Sequence, residues 1–474
     1  MRQSLAIGLT ILSTFLVANA TQNFVFPSDQ AGQEKLWNDT IQAILKFKEE
    51  FESRSPADVL QAEDGDASLT VPEVILRYGY PVEVHNITTE DGYIIQAHRI
   101  PYGLACGAVN EGSPKKRVVW MQHGLMGDSS NWVITGNKSR GLGIGLRKIS
   151  STKERITDNL GNYRGNTYST MHTTLLPSQP EFWDFSWHDL GMYDIPAGID
   201  YVLNHTQAES LYYIGHSMGT TGFFVTMSER PEYNAKVKLM SALAPALFMS
   251  HSTSVITRLL VELFVPIIDQ VPYVEAFPIE WTKDLAAELC KRGAPTQPLC
   301  SIILYLIGGK NEPQLDLDSL PAILGHSPAG SSTKTFMHYG QGIVSGQFEK
   351  FNYRGANPDK YNGSLTPPKY DLGKITTPIA IYYGDNDFLA DPQDVLRGAR
   401  EFSTLVNLHR VNDTLFSHLD FVWALDQGTL INKPVMDFME EFANRLPPNG
   451  VAGRVQFMNG LLSMTVILVI NKML

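Results

Sequence analysis

The sequence contains little cysteine and no excess of basic charge. Only three of its 474 residues are cysteine, and 38 lysines and arginines stand against 49 aspartates and glutamates, which gives a formal net charge of −11. The cysteines form no Cys-X-X-Cys pair and no cluster with histidine, which argues against a metal site. The lysines and arginines form no basic stripe, which argues against binding to nucleic acid. We therefore expect no metal, no cofactor and no nucleic-acid partner.

The chain also lacks internal repeats and low-complexity segments. Apolar residues make up 43% of it and charged residues 18%, which is the composition of a globular protein. Its length exceeds that of a typical domain, so we expect either one large core with an insertion or two domains.

A short apolar run at the N-terminus is typical of a signal peptide. Arg2 supplies the positive charge, residues 5–17 are apolar, and residues 18–20, Ala-Asn-Ala, resemble a cleavage site. The run is too short to span a bilayer, so we expect residues 1–20 to be removed and the protein to be secreted or lumenal. A second apolar run, residues 461–470, would cover about 15 Å as a helix, half of a bilayer core.

Asn-X-Ser/Thr acceptors for N-glycosylation agree with export. They are Asn38, Asn86, Asn137, Asn204, Asn362 and Asn412.

The three cysteines are an odd number. Cys290 and Cys300 lie close together and could close a small loop by a disulfide in an oxidising compartment. Cys106 is then left as a free thiol.

The spacing of apolar residues predicts a sheet that begins after a polar segment. Residues 21–70 are polar with one helix candidate at 35–51, and the globular body begins near Val71. Alternating runs at 82–87 and 93–100 flank Asp-Gly, which predicts a β-hairpin.

Short apolar strands and helical segments then alternate, which favours a mostly parallel sheet covered by helices. Between residues 247 and 368 this pattern lapses into apolar helical runs at 255–265 and 301–307, with many prolines. We interpret residues 247–368 as an inserted, mainly helical cap or lid. The predicted strands are 117–122, 211–214, 237–244, 379–383 and 405–411. The predicted divisions are a core of 71–246 and 369–446 around the cap, and a tail of 447–474.

Residues 215–219, Gly-His-Ser-Met-Gly, match the Gly-X-Ser-X-Gly pattern of a nucleophilic serine. An apolar strand precedes the motif and a helical stretch, 220–229, follows it. This strand–turn–helix setting makes Ser217 the candidate nucleophile. The turn is so sharp that a Cβ at either glycine would clash with the strand or the helix.

A serine hydroxyl needs a base to take its proton and an acid to orient that base. In sites that carry this motif, the order along the chain is serine, acid and histidine. Asp385 and Asp387 both follow the strand 379–383 and are candidates for the acid. His418 lies in the loop after the last strand, whereas His409 lies within that strand. The spacing favours His418 as the base and leaves both aspartates open, with Asp387 preferred.

Two backbone N–H groups must also converge on the oxyanion of the reaction. One is expected from Met218, directly after the nucleophile, and the other from Leu125, in the loop 123–127 after an early strand.

Several longer segments resemble the acid lipases, a family that includes gastric lipase, lysosomal acid lipase and insect relatives. The resemblance runs from about residue 71 to 444, most of the mature chain. The segments are 79–81 (Gly-Tyr-Pro), 123–125 (His-Gly-Leu), 161–168 (Gly-Asn-Tyr-Arg-Gly-Asn-Thr-Tyr), 182–187 (Phe-Trp-Asp-Phe-Ser-Trp), 215–221 (Gly-His-Ser-Met-Gly-Thr-Thr), 386–392 (Asn-Asp-Phe-Leu-Ala-Asp-Pro) and 418–421 (His-Leu-Asp-Phe).

The resemblance implies an α/β-hydrolase fold with a cap and the cleavage of triacylglycerols or steryl esters at a lipid interface. It places the nucleophile on Ser217, the acid on Asp387 and the base on His418. It implies no stable protein partner, and with the signal peptide we expect the enzyme to be secreted or to lie in the lysosomal lumen.

By the same resemblance the oxyanion donors are Leu125 and Met218, and Cys290 and Cys300 correspond to the disulfide of the cap. Many vertebrate members have glutamine where Met218 stands. Since the donor is a backbone N–H, this difference should not abolish catalysis.

Two other functions fit parts of the pattern. A lipase-like storage or lipid-binding protein would have lost catalysis, which the intact triad argues against. A carboxylesterase for small soluble esters would share the triad, and the long apolar cap favours lipids over it.

One segment departs from the family pattern. Where the family has an apolar central strand before Gly161, this chain carries Lys153, Glu154, Arg155 and Asp158. Burying such charges unpaired would cost several kcal/mol each. We therefore expect residues 139–158 to be a local departure, such as a mis-spliced gene model, with a weak or missing strand; an ordinary divergent loop is the alternative.

Overall fold

The computed structural model describes residues 66–103, 117–135, 141–143, 156–264, 272–277, 290–291, 294 and 296–445. Several predicted features lie outside these residues. They are the signal peptide 1–20, the helix at 35–51, Asn38, Cys106, Asn137 and the tail 447–474.

One large, mostly parallel sheet organises the described part of the chain. The strands of the described residues are β1 (Glu83–Thr88), β2 (Tyr93–Ile100), β3 (Arg117–Gln122), β4 (Ile156–Gly161), β5 (Met171–His172), β6 (Leu211–His216), β7 (Val237–Leu243), β8 (Glu275–Ala276), β9 (Ser331–Ser332), β10 (Ile379–Tyr383) and β11 (Leu405–Arg410). In the large sheet they follow the order β1-β2-β4-β3-β6-β7-β10-β11, with β5 paired to β2. From β4 to β11 all neighbours are parallel, whereas β1, β2 and β5 run antiparallel to their neighbours.

The predicted hairpin and the predicted strands of the sheet are confirmed. β1 pairs with β2 across a turn in which Gly92 adopts a φ of 99°, a conformation that favours glycine. All residues of β6 and β10 are buried, as expected of parallel strands covered by helices on both faces. The two strands that precede Ser217 and Asp387 are therefore fully buried, whereas β11, which precedes His418, is only partly buried.

The expectation of a missing central strand is wrong. β4 spans Ile156–Gly161 and all six residues are buried. It pairs with β3 along its whole length and with β2 over its last four residues. Two of its polar side chains find partners on the neighbouring strands: Arg99 Nε donates to Thr157 Oγ1 at 3.1 Å, and Asn159 Nδ2 donates to Val119 O at 3.0 Å. These hydrogen bonds offset the cost of removing the two polar side chains from water. The remainder of the segment expected to be a local departure lies outside the described residues, at 139–140 and 144–155.

Helices cover the sheet and form most of the region between β7 and β10. The described residues between 247 and 368 contribute no strand to the large sheet. Their strands β8 and β9 form a separate two-stranded ribbon. No helix of the described residues is long and apolar enough to cross a membrane. The helices are α1 (Val71–Arg77), α2 (Trp187–Asp189), α3 (Ile195–Thr206), α4 (Met218–Glu229), α5 (Val255–Phe264), α6 (Gln297–Gly308), α7 (Leu320–His326), α8 (Thr333–Ser345), α9 (Asn357–Lys360), α10 (Pro392–Glu401), α11 (Asp420–Trp423) and α12 (Lys433–Arg445).

Helix α6 is attached near its start by the Cys290–Cys300 disulfide, in which the Cα atoms lie 5.9 Å apart. Both cysteines are buried, and so are Leu304 and Leu306 on the same helix, within the main hydrophobic core. Helix α5 packs against α8 and α6. The sequence had placed helical runs at α5 and α6, and both are confirmed.

Candidate active site

Ser217 lies in a sharp turn between β6 and α4. Its backbone has φ 52° and ψ −117°, a strained conformation for a residue other than glycine, and its N–H donates to Leu243 O at 3.0 Å. The residue is partly exposed, although the strand before it and nearly all of the helix after it are buried. The turn thus presents one hydroxyl at the carboxyl edge of the sheet.

The glycines on either side of Ser217 are required by packing. A Cβ on Gly215 would lie 2.7 Å from Gly219 O, and a Cβ on Gly219 would lie 2.1 Å from Gln122 O. The first clash is with the helix and the second is with strand β3, as the motif predicted.

The loops after β10 and β11 bring an acid and a base together. His418 Nδ1 lies 2.8 Å from Asp387 Oδ2 and 3.0 Å from Oδ1, and both residues are about 2% exposed. Asp387 Oδ1 also accepts the N–H groups of Leu389 and Ala390, at 2.9 and 2.7 Å. These bonds fix the carboxylate, and the carboxylate in turn orients the imidazole.

The other aspartate that spacing left open is engaged elsewhere. Asp385 accepts a bond from Arg410 Nε at 2.8 Å, and this ion pair is partly exposed. His409 lies within β11, and its ring packs against Tyr382. The geometry therefore brings Asp387 to His418 and leaves Asp385 and His409 outside the pair.

His216, the residue before Ser217, contacts His418. The ring of His216 lies 4.9 Å from the ring of His418, and its Nε2 donates to His418 O at 3.0 Å. Burial, then the proximity of His418, holds the pKa of His216 well below its usual value, so the ring is neutral. In the described part of the chain no hydrogen bond joins Ser217 Oγ to His418, and such bonds often form only with substrate present.

A loop after β3 lies against the nucleophile. A Cβ on Gly124 would be 3.1 Å from Ser217 Cβ. The neighbouring His123 holds the loop: its Nε2 accepts from Tyr163 N at 3.1 Å and its Nδ1 donates to Gly124 O at 2.8 Å. Burial lowers the pKa of His123 to about 4, which keeps it neutral and suits one donor and one acceptor nitrogen.

The two predicted oxyanion donors are the backbone N–H groups of Leu125 and Met218. Among the described residues, neither Leu125 N nor Met218 N donates a backbone hydrogen bond. Met218 begins helix α4, where the first N–H groups lack intrahelical acceptors. Such N–H groups are what an oxyanion requires.

The predicted modification sites within the described residues are accessible. Asn86, Asn204, Asn362 and Asn412 are all exposed. Asn86 Oδ1 accepts a hydrogen bond from Gln96 Nε2 at 3.2 Å across the hairpin.

One group of potential metal ligands occurs in the described chain, and it lies away from Ser217. Glu83 and His85 on β1 approach His205 at the end of α3. Arg99 lies among them, with Nη1 2.6 Å from Glu83 Oε2 and 3.2 Å from His205 Nε2. The guanidinium already provides the positive charge there, so the group is an ion-pair cluster at the edge of the sheet.

Comparison with known proteins agrees with this architecture. Residues 71–136 match the model of a partial α/β-hydrolase lipase region, and residues 118–264 match that of the α/β-hydrolase fold. Lipase 1 of Drosophila melanogaster is 36% identical over 82% of this chain and 84% of its own length. The fold is therefore that of an α/β-hydrolase, with the mostly parallel sheet described above.

Vertebrate acid lipases are similar over comparable lengths. Gastric triacylglycerol lipase of Bos taurus is 34% identical over 80% of this chain and 93% of its own length. Lysosomal acid lipase/cholesteryl ester hydrolase of Macaca fascicularis is 33% identical over 82% of this chain and 95% of its own. The chain belongs to the acid lipase family. As a member of this family it is a lipase, an enzyme that hydrolyses carboxylic esters.

Three features of the acid lipase site were not found from the sequence. They are His216 as a contact between the serine and histidine loops, His123 as the support of the loop 123–127, and the carbonyl of Gly308, which contacts the loops of Asp387 and His418. His216 and His123 lie within the segments that resemble the acid lipases, so the sequence did offer a signal for both of them. The third depends on a long-range backbone contact that no motif marks.

Proposed function

We propose that this acid lipase cleaves the carboxylic ester bonds of neutral lipids through an acyl-enzyme on Ser217. Ser217 Oγ attacks the ester carbonyl carbon while His418 Nε2 takes its proton. The tetrahedral oxyanion is held by the N–H groups of Leu125 and Met218. When the C–O bond breaks, His418 returns the proton to the leaving alcohol, and a water molecule then releases the fatty acid by the same steps.

The observation that carries this proposal is the buried pair of His418 Nδ1 and Asp387 Oδ2 at 2.8 Å, beside Ser217 in its strained turn. With Nδ1 engaged, the imidazole presents Nε2 to the reaction. The carboxylate compensates the imidazolium that forms when the serine proton is taken.

Apolar side chains around the loop 123–127 support a lipid substrate. Leu125, Met126, Phe277 and Ile307 are partly exposed and pack against a small cluster centred on Phe336. A hydrocarbon chain could be buried there at a gain of about 0.8 kcal/mol per CH₂. The names of the gastric and lysosomal relatives, a triacylglycerol lipase and a cholesteryl ester hydrolase, support triacylglycerols and steryl esters as the substrate class.

We also propose that the enzyme is exported, to the outside of the cell or to the lysosomal lumen, and glycosylated. The predicted signal peptide and the exposed acceptors Asn204, Asn362 and Asn412 support this, as do the gastric and lysosomal relatives.

Turnover and labelling of the purified protein test the proposed function. Wild type and Ser217→Ala are assayed with p-nitrophenyl butyrate, emulsified triolein and cholesteryl oleate, and are treated with a fluorophosphonate probe. We expect wild type to cleave at least one of the two lipids and to be labelled on Ser217. We expect the variant to fold with the same Tm and to lose activity by several orders of magnitude.

Three outcomes would contradict this function. A wild type that is neither active nor labelled would be a lipid-binding or storage protein. Cleavage of the butyrate ester alone would indicate a carboxylesterase, and near-normal turnover by Ser217→Ala would exclude Ser217 as the nucleophile.

A further inference from the structure

The last carbonyl of helix α6 contacts both loops of the acid–base pair. Carbonyls in the final turn of a helix have no intrahelical N–H donor. Gly308 O instead accepts Phe388 N at 3.2 Å and His418 N at 3.0 Å. Phe388 directly follows Asp387, so one oxygen joins the loop that carries the acid to the loop that carries the base.

The next residue allows this contact only because it is glycine. Gly309 has a φ of 111°, which L side chains rarely adopt, and a Cβ on it would lie 2.0 Å from Asn386 O. Asn386 in turn donates from Nδ2 to Lys310 O at 2.8 Å. The backbone around Gly309 therefore packs closely against the residues directly before Asp387.

The rest of α6 is held in place by covalent and apolar contacts. Cys300, in the first part of the helix, is bonded to Cys290, and Leu306 in the last turn is 1% exposed. The helix thus runs from the disulfide to the two loops. A displacement of its carboxyl end would change the separation of Asp387 and His418.

We propose that Gly308 and Gly309 are positioning residues that fix the distance between Asp387 and His418, with α6 acting as the support. This proposal rests on the proposed serine mechanism. It adds α6, a helix of the predicted cap segment, to the parts of the chain that support the site. A consequence is that α6 stays fixed against the sheet during turnover.

The test is Gly309→Ala, measured on soluble p-nitrophenyl butyrate. The added Cβ pushes Asn386 and the acid loop away, and a displacement of about 1 Å at a catalytic group can cost about 100-fold in rate. We expect kcat to fall about 100-fold with KM within about twofold of wild type, and labelling of Ser217 by a fluorophosphonate to slow by a similar factor. The matched control is Gly342→Ala in α8, where the nearest atom to the new Cβ is 3.7 Å away; it should keep wild-type kcat and KM.

A double-mutant cycle separates positioning from general damage. Gly309→Ala is combined with Asp387→Ala, and we expect it to cost less than about threefold in that background, since the pair it positions is already broken. A full 100-fold cost there would overturn the proposal, and so would wild-type kcat in Gly309→Ala alone.

If Gly309→Ala does not fold, a backbone change replaces it. Exchange of Phe388 for its α-hydroxy analogue, phenyllactic acid, replaces the N–H that donates to Gly308 O with an ester oxygen and keeps the side chain. We expect a loss of about tenfold in kcat, the effect of one buried hydrogen bond, and an unchanged kcat would overturn the proposal. A wild type without esterase activity would instead refute the proposed function, so the two failures are distinguishable.

Discussion

The guanidinium of Arg164 is buried against the carboxylate of Asp194, with Nε 2.7 Å from Oδ1 and the backbone N–H of Arg164 2.9 Å from Oδ2. The same guanidinium donates to Asp91 Oδ1 at 2.8 Å and lies 3.8 Å from the centre of the Tyr93 ring. The side chain of Arg164 is 1% exposed and that of Asp194 is 2% exposed. The pair joins the loop after β4 to the beginning of α3, beneath the catalytic edge of the sheet.

Arg164→Met is expected to lower the free energy of unfolding by about 3–5 kcal/mol, because it leaves Asp194 buried without its partner. Burial raises the pKa of Asp194 to about 6 even beside Arg164. Without the guanidinium the carboxyl should take up a proton at mildly acid pH, so the loss of stability should be smaller at pH 5 than at pH 8. Urea denaturation at both pH values measures this. Arg410→Met, which breaks the partly exposed pair with Asp385, should change stability by less than about 1 kcal/mol.

Asp387→Asn should reduce kcat by about 10⁴-fold with little change in Tm, because an amide holds the wrong tautomer of His418. Asp385→Asn is the matched control, two residues away in the same loop, and should keep kcat within about threefold. The two variants are compared on p-nitrophenyl butyrate. A large loss in Asp385→Asn, with Asp387→Asn active, would reverse the assignment of the acid.

The sequence could predict the parts of the site that depend on local geometry. In the turn at Ser217, neither Gly215 nor Gly219 leaves space for a Cβ. The Gly-X-Ser-X-Gly motif after an apolar strand therefore predicts this turn by itself. The strands β3 and β10 were predicted to the residue because fully buried parallel strands are short, uninterrupted apolar runs.

Contacts between residues far apart in the sequence determine the features that the sequence alone could not predict. Asp385 and Asp387 both follow β10, and only the contacts with Arg410 and with His418 separate them. The failure at β4 has a second cause. Three of the four charged residues that argued against a strand, Lys153, Glu154 and Arg155, precede its first residue in the sequence. Within the strand, the polar Thr157 and Asn159 find hydrogen-bond partners on β2 and β3, which no local pattern reveals.

Removal of the Cys290–Cys300 bond should destabilise the protein by about 2–3 kcal/mol, the entropy of closing a loop with a sequence separation of 10. Cys290→Ala with Cys300→Ala should show a lowered Tm that dithiothreitol does not lower further. Wild type treated with dithiothreitol should approach the Tm of the double variant. Equal Tm values for oxidised wild type and the double variant would contradict a stabilising role.

Asp420, two residues after His418, should make stability depend on pH. Its Oδ2 accepts from Ser417 N at 2.7 Å and from Asn311 Nδ2 at 2.9 Å, while Asp413 lies close enough to share Asn311. Burial, which these hydrogen bonds only partly offset, raises the pKa of Asp420 to about 7. A carboxyl whose pKa is raised on folding contributes stability that is complete below its unfolded pKa of about 4 and is lost as the pH rises through 7.

Asp420→Asn, which cannot ionise, should remove this contribution. The variant and wild type should have similar free energies of unfolding at pH 4, and the variant should be more stable at pH 8 by an amount on the order of 4 kcal/mol. Asp437→Asn, at an exposed pair with Lys433, is the control and should leave the pH profile of wild type unchanged. Denaturation by urea at intervals between pH 4 and 8 measures the difference. A difference between Asp420→Asn and wild type that stays constant over this range would show that Asp420 does not titrate there.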